Sequence, residues 1–258
     1  MKRLVALVLV FSAVFVPAAN ALPLADFDVS VGMARPAPSG DFKYGSGSTI
    51  TTMNLKDTLN MDTGSSTILR LDVKHAIPIL PNIYIHHLPI KVEGAKDLAS
   101  SVTFGTQTFS ATTRVTSVLD MGQDDVGLYY SIPLVKSLTV NMLELKAGLN
   151  VRVMNFKASL ASALPAKSEE KSFTAPIPML YLGLDLNPID LFSINAEVKT
   201  LSVGGNGITD YAAELRIKPL RILYIGVGYA SETIKIDSND INANISFAEP
   251  YVVVGAQF

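Results

Sequence analysis

The chain has 258 residues, 48% of them hydrophobic and 17% charged, with no cysteine and no tryptophan. That balance excludes disordered and collagen-like chains, and the missing cysteines exclude disulfide frameworks, thiolate zinc sites, iron-sulfur clusters and cysteine nucleophiles. With 21 basic against 23 acidic residues there is no cationic excess to neutralise a phosphate backbone, so no nucleic-acid partner is expected.

Met1-Lys2-Arg3 is a positive start, Leu4 to Val16 is apolar apart from Ser12, and Ala19-Asn20-Ala21 has the small-x-small form of a cleavage site. This reads as a secretory signal peptide over 1–21, cleaved after Ala21, with an apolar run short of what a membrane-spanning helix needs. Losing Lys2 and Arg3 leaves 19 of the 21 basic residues in one mature domain, 22–258. No cysteine follows the cleavage site, so a lipoprotein anchor is excluded.

Beyond residue 21 no apolar run approaches helix-spanning length, and burial is arranged with a period of two. Strands are expected near 26–36, 64–77, 82–94, 107–133, 138–156, 174–187, 190–203, 208–218, 221–236 and 243–258. Leu69, Leu71 and Val73 enclose Arg70, Asp72 and Lys74. Leu143, Leu145, Ala147, Leu149, Val151 and Val153 alternate with Glu144, Lys146, Gly148, Asn150 and Arg152. The pattern recurs in Leu180 to Leu186, in Ile194 to Lys199 and in Asp210 to Ile217. Residues 107–133 read as one long strand, with a turn at Gly122-Gln123-Asp124 as the alternative; residues 53–61, carrying Met53, Leu55, Leu59 and Met61, suit a short helix in or at the barrel mouth.

Tight turns at Pro78 to Pro81, Leu134 to Ser137, Asn187 to Asp190 and Lys218 to Arg221 alternate with connections at 37–63, 95–106, 157–173, Gly204 to Gly207 and Asp237 to Asn242, most of them longer and more polar. Short turns on one rim and larger loops on the other are the asymmetry of a membrane barrel, and an even strand number returns both ends to one side. The fold expected is therefore all-β, a closed antiparallel transmembrane β-barrel of ten strands, with eight or twelve as alternatives. Closure is required because an open sheet in hydrocarbon leaves two edges of unpaired amides.

Alternation then turns leucines to lipid and charges inward. The inward set is Arg70, Lys74, Lys146, Arg152, Lys199 and Arg216 against Asp72, Glu144, Asp185, Glu197 and Glu214. Near-balance in a barrel little wider than eight strands points to a cross-linked polar core rather than a wide channel. Tyr84, Tyr129, Tyr130, Tyr181, Phe192, Tyr224, Tyr229 and Phe258 fall mostly near strand ends, where aromatic girdles lie.

The closing strand, with Tyr251, Val252, Val254 and Phe258 and Gly255 on the inner face, resembles the C-terminal insertion signal of outer-membrane β-barrels, departing from it at Ala256, where an aromatic is more usual. KHAIPILPN (74–82), DVGLYYSI (125–132), PIPMLYLGLDLNP (176–188) and ISFAEPYVVVGAQF at the end are similar to landmarks of a family of small proteobacterial outer-membrane β-barrels named for a Gly-Gly pair, with Gly204-Gly205 in the place of that pair. The resemblance implies location in the outer membrane of a Gram-negative cell, contact with its lipid including lipopolysaccharide, and delivery through periplasmic chaperones to the barrel-assembly machinery. It implies no enzymatic activity.

Candidate chemistry is sparse. Asp120, Asp124 and Asp125 cluster, but His75, His86 and His87 flank the Pro78 to Pro81 turn, far along the strands from Asp120 and Asp124, so no catalytic convergence is expected. The acids lack the spacing of a calcium loop, and His86-His87 on a strand point to opposite faces and cannot share a metal. Ser65-Ser66 and Ser100-Ser101 have no base beside them, Gly204 to Gly207 lacks the following helix of a phosphate loop and reads as a turn, and Glu169-Glu170-Lys171 reads as solvated loop. No catalytic, cofactor-binding or metal residues are assigned and no cofactor is expected. The function expected is a non-enzymatic outer-membrane barrel, structural or a narrow passive pore; the alternatives are a barrel enzyme acting on lipid A or peptides, and a secreted soluble β-sandwich or adhesin.

Overall fold

A computed structural model of the chain describes residues 25–258 apart from 48, 78, 140 and 141. The signal peptide and its cleavage after Ala21 lie outside the described residues. Fourteen strands and one short helix follow: β1 (Ala25–Ala34), β2 (Ala37–Tyr44), β3 (Met53–Asn54), β4 (Ser66–His75), β5 (Asn82–Asp97), β6 (Val102–Phe104), β7 (Gln107–Phe109), β8 (Arg114–Ser131), α1 (Pro133–Leu138), β9 (Leu143–Ser162), β10 (Lys167–Ile189), β11 (Phe192–Val203), β12 (Asn206–Leu220), β13 (Leu223–Asp237) and β14 (Ile241–Gln257).

Ten of them close an antiparallel barrel in the order β1-β4-β5-β8-β9-β10-β11-β12-β13-β14, with β14 returning to pair β1. Each barrel strand after β1 therefore pairs with the barrel strand before it in sequence, across β2 and β3 between β1 and β4 and across β6 and β7 between β5 and β8, and no edge is left for hydrocarbon to meet. β2 continues β1 past a break at Arg35-Pro36, so the two together line β14 from Gln257 up to Ile241. Connections at 76–81, 132–142, 190–191 and 221–222 share one rim with Ala25 and Phe258; the opposite rim carries the longer excursions 45–65 and 98–113.

β9 shows how the wall is built. Its outward residues run Leu149, Val151, Val153, then Asn155 and Lys157; its inward residues run Glu144, Lys146, Asn150, Arg152, then Met154, Phe156, Ala158 and Leu160. The pleat keeps its phase while the chemistry of the two faces exchanges at Val153-Met154. β8 exchanges between Gln123 and Val126, and β5 between Ile85 and Leu88. Toward the short-turn rim the barrel is apolar outside, with Leu180 at 62% and Leu182 at 59% exposure, and charged inside. Toward the long-loop rim it is polar outside and encloses an apolar core that includes Phe42, Phe104, Phe156, Met154 and Phe247. The first region suits lipid and the second suits water.

Several expectations are corrected by this arrangement. Residues 157–173 are wall rather than loop: β9 runs on to Ser162 and β10 begins at Lys167, so Glu169, Glu170 and Lys171 sit in a strand. Residues 37–44 are likewise strand. The segment 107–133 does divide, but at 110–113, where a small hairpin of β6 and β7 precedes β8. Leu134 to Ser137 falls within α1 rather than a tight turn. Residues 53–61 form β3 and a compact turn in place of a helix; Leu55 N–H bonds the Gly40 carbonyl and Asp62 N–H that of Glu93, so the segment patches the wall between β2 and β5. Its Met53, Leu55, Leu59 and Met61 are fully buried in the apolar core. At Gly204 and Gly205 both φ angles are positive, +58° and +87°, as a two-residue turn between the paired Val203 and Asn206 demands.

The expected girdle is also only partly outward. Tyr130 and Tyr229 face out, whereas Tyr84, Tyr129, Tyr181 and Tyr224 are buried inside. Three inward tyrosines lie over glycines directly across the sheet: Tyr84 on Gly127, Tyr224 on Gly255 and Tyr251 on Gly228. A Cβ at Gly127 would meet the Tyr84 ring at 1.9 Å, so those glycines are the seats of the rings.

Because Leu182 lies in the apolar belt and Ser172 above it on the same outward row of β10, Leu182→Arg is expected to cost about 2–4 kcal/mol of folding free energy in lipid vesicles, and Ser172→Arg less than about 0.5 kcal/mol. Urea titration read by heat-modifiable gel mobility measures both, and equal costs would contradict the position of the belt.

Candidate functional site

The charged half of the lumen is the chemically distinctive part of the molecule. Arg152 on β9 is 1% exposed and forks onto Asp125, its cross-strand neighbour on β8, at 2.7 and 2.9 Å. The same guanidinium reaches Glu232 on β13 at 2.8 Å and Asp210 on β12 at 2.6 Å. One side chain thus ties four strands across the barrel. Lys199 lies beside it, 3.1 Å from Asp125 and 3.2 Å from Glu197.

A second group continues toward the short-turn rim. Arg70 pairs with Glu214 at 3.2 Å, and Arg216 holds both Glu214 and Asp28. Asp28 also accepts from the Tyr224 hydroxyl at 2.6 Å and from Gln257 at 2.8 Å. Nearest that rim, Lys74 meets Glu144 at 3.2 Å and Asp185 at 3.4 Å, while Lys146 meets Asp185 at 2.7 Å. Asp72 accepts from the Tyr129 hydroxyl at 2.7 Å. Arg152, Lys199, Glu197, Arg70, Glu214 and Arg216 thus stand in one chain of ion pairs, and Lys74, Glu144, Asp185, Lys146 and Asp72 in a second, nearer the short-turn rim.

Four carboxylates outside the expected inward set join them: Asp28, Asp125 and Glu232, and Asp210, which the 210–217 alternation does place on the polar phase. They turn a near-balance of charges into an acidic excess. Asp28 was signalled by its place between Phe27 and Val29. For Asp125 the doubled Asp124-Asp125 left the facing ambiguous until the register with β9 was known.

The acidic cluster considered from sequence is dispersed: Asp125 is inside, while Asp120 and Asp124 lie on the outer wall. The expectation that the histidines lie far from these acids is corrected by the register, which sets His86 opposite Asp125 and His87 opposite Asp124, although the two pairs face opposite sides of the wall. His75 bonds the Pro81 carbonyl at the short-turn rim, His86 is buried in the lumen, and His87 faces outward with its Nδ1 2.6 Å from Asp124. Among the described residues no group of three or more His, Asp or Glu is arranged to hold a metal ion. In the closing strand Val252 faces out, Tyr251 faces in, and the Phe258 ring stacks on Phe27 with centroids 5.9 Å apart.

Among these side chains lies a cavity of about 450 Å³ that reaches the short-turn rim at Asp26, Asn187, Lys218 and Phe258. The Tyr84, Tyr129 and Tyr181 rings cluster on the short-turn side of Arg152, with centroids 4.9–6.2 Å apart, and Tyr84 and Tyr181 line the cavity. Past Arg152, from Met121 and Met154 onward, begins the apolar core, so the lumen is occupied by protein on that side.

The chain matches no protein-family model and no curated protein. It is similar in structure to the outer-membrane protease OmpT of Escherichia coli, at 10% identity and a TM-score of 0.52, covering 90% of this chain and 96% of that one. The translocator domain of the autotransporter NalP from Neisseria meningitidis is 11% identical with a TM-score of 0.45, covering 98% and 97% of the two chains. Ail, the attachment invasion locus protein of Yersinia pestis, is 12% identical with a TM-score of 0.41, covering 91% and 99%. At such identities the likeness is one of fold, the bacterial outer-membrane barrel, and the fold hosts dissimilar activities.

Removing Arg152 leaves Glu232 without a cation in the barrel interior and leaves Asp125 and Asp210 to share Lys199. Arg152→Ala is expected to cost about 3–5 kcal/mol, whereas Lys91→Ala, which breaks the solvent-screened outer pair with Glu93, should leave the unfolding midpoint essentially unchanged. Urea titration in vesicles compares the two, and losses of the same size would contradict the interior network.

Proposed function

We propose that the protein is a non-enzymatic integral component of the outer membrane of a Gram-negative bacterium, with its short turns in the periplasm and its lumen shut to the cell exterior. The observation that carries this reading is the apolar core at the long-loop rim. Met53, Leu55, Leu59 and Met61 from the first long excursion pack there against inward Phe42, Phe104 and Phe156. A core of fully buried apolar side chains offers no hydrated path for ions, and the ionic network beneath it is a second barrier. Of the two forms expected from sequence, structural barrel and narrow passive pore, the first is the one these packed layers support.

The enzyme alternative needs a histidine and an acid at one depth beside a substrate-sized space. His86 does line the cavity with Glu197 and Glu214, but its Nε2 bonds no acid there; the His87–Asp124 pair, which is bonded, is on the outer wall, away from the cavity, and its partners are each about half exposed. The third alternative, a soluble sandwich, is set against by closure of the sheet and by the leucine belt. In this reading the belt contacts outer-membrane lipid including lipopolysaccharide, and the chain reaches the membrane through periplasmic chaperones and the barrel-assembly machinery.

Planar-bilayer recording tests the reading. The purified barrel is expected to pass no current steps; regular unitary steps from a preparation that is folded by gel mobility would overturn it in favour of the pore.

A further inference from the structure

We infer that the lumen cavity is a binding site, open to the periplasm, for a small zwitterion: an amino acid or dipeptide carrying one ammonium and one carboxylate. The inference rests on the closed-barrel reading, which leaves the short-turn rim as the route in. A volume of about 450 Å³ lies within the range of small-molecule sites, about 300–1,000 Å³.

Both signs of charge line this space at every depth. Near the rim Lys74 and Lys146 stand against Glu144 and Asp185; deeper in, Arg70 and Lys199 stand against Glu197 and Glu214. A lone anion or cation entering such a wall meets repulsion from half of it. A neutral solute strips water from these ions and returns nothing comparable. A zwitterion gives each sign a partner and adds no net charge to an interior in which uncompensated charge is costly.

The second observation is independent of charge. His86 Nε2 and the Tyr251 hydroxyl are buried and line the deeper part of the cavity; His86 Nε2 has no hydrogen-bond partner in the structure, and the Tyr251 hydroxyl has only a loose approach from the Arg70 guanidinium, short of a well-formed bond. His86 is 9% exposed and Tyr251 3%. Asn195 Oδ1, on the same lining, is also without a partner. Buried polar atoms are normally satisfied, and here a donor and acceptors converge on one space large enough for a solute. The Tyr84 and Tyr181 rings beside them supply faces for an ammonium or for the carbon between the two charges.

Isothermal titration of the full mature barrel in detergent tests this, with glycylglycine as probe and N-acetylglycinamide, acetate and methylammonium as comparisons. Glycylglycine is expected to bind at one site per barrel, and each comparison about ten-fold or more weakly, since each forfeits at least one charge-assisted contact. Tyr251→Phe, which removes one hydroxyl and leaves the ring on Gly228, is expected to weaken glycylglycine about five-fold while keeping heat-modifiable mobility. No heat from glycylglycine, equal binding of N-acetylglycinamide, or unchanged affinity in Tyr251→Phe would each overturn the site. The same preparation recorded in a planar bilayer separates the two ideas: current steps overturn the closed barrel, whereas a silent barrel without dipeptide heat overturns the binding site alone.

Discussion

Arg152 can be held where it is only because Asp125, Asp210 and Glu232 reach it from three other strands. A guanidinium taken out of water must be repaid by close, directional partners, and the partners in turn require the strands to be in register around a closed ring. The ion network and the closure of the barrel are thus one constraint. Slipping one strand by a single residue would send Arg152 into lipid and Val151 into the lumen, so the register is strongly specified wherever the belt and the network coincide.

The same wall serves two solvents. Over the belt the exterior must suit hydrocarbon, and the charges have nowhere to go but inward. Past Val153-Met154 the exterior meets water, polar side chains move out, and the interior is released to form an apolar core of ordinary soluble type. The long-loop segment 53–61 completes that core and patches the wall between β2 and β5. In the closed-barrel reading proposed above, the plug is a by-product of projecting beyond the membrane, and the charged end, which the cavity reaches, is where the proposed site faces one compartment.

Much of this was legible in the residues. Strict alternation from Leu143 to Val153, with charges confined to one phase, sets both the strand and its inward face. The even number of strands and the contrast between short turns and long excursions follow from the positions of the polar breaks. The extension of β9 and β10 across 157–173 was hidden for a physical reason. Alternation there persists, but with apolar residues on the other face, so that Asn155, Lys157, Glu170 and Ser172 resemble loop composition. Adjacent apolar residues at Val153-Met154 are the mark of the exchange. The inward tyrosines and Asp125 depended on cross-strand partners, Gly127 beneath Tyr84 and Arg152 opposite Asp125, and register of that kind is not contained in any single strand.

The exchange of faces is open to direct measurement because the chain has no cysteine, so that each introduced thiol is unique. Single cysteines placed at Leu149, Val151, Val153, Asn155, Lys157 and Ser159, labelled with a fluorophore in folded vesicle-bound protein, report which quencher reaches each outward position of β9. The account predicts that a lipid-borne quencher acts on the first three and a water-soluble one on Lys157 and Ser159, with the crossover near Asn155. Lipid quenching that continues through Ser159, or aqueous quenching at Val151, would contradict it.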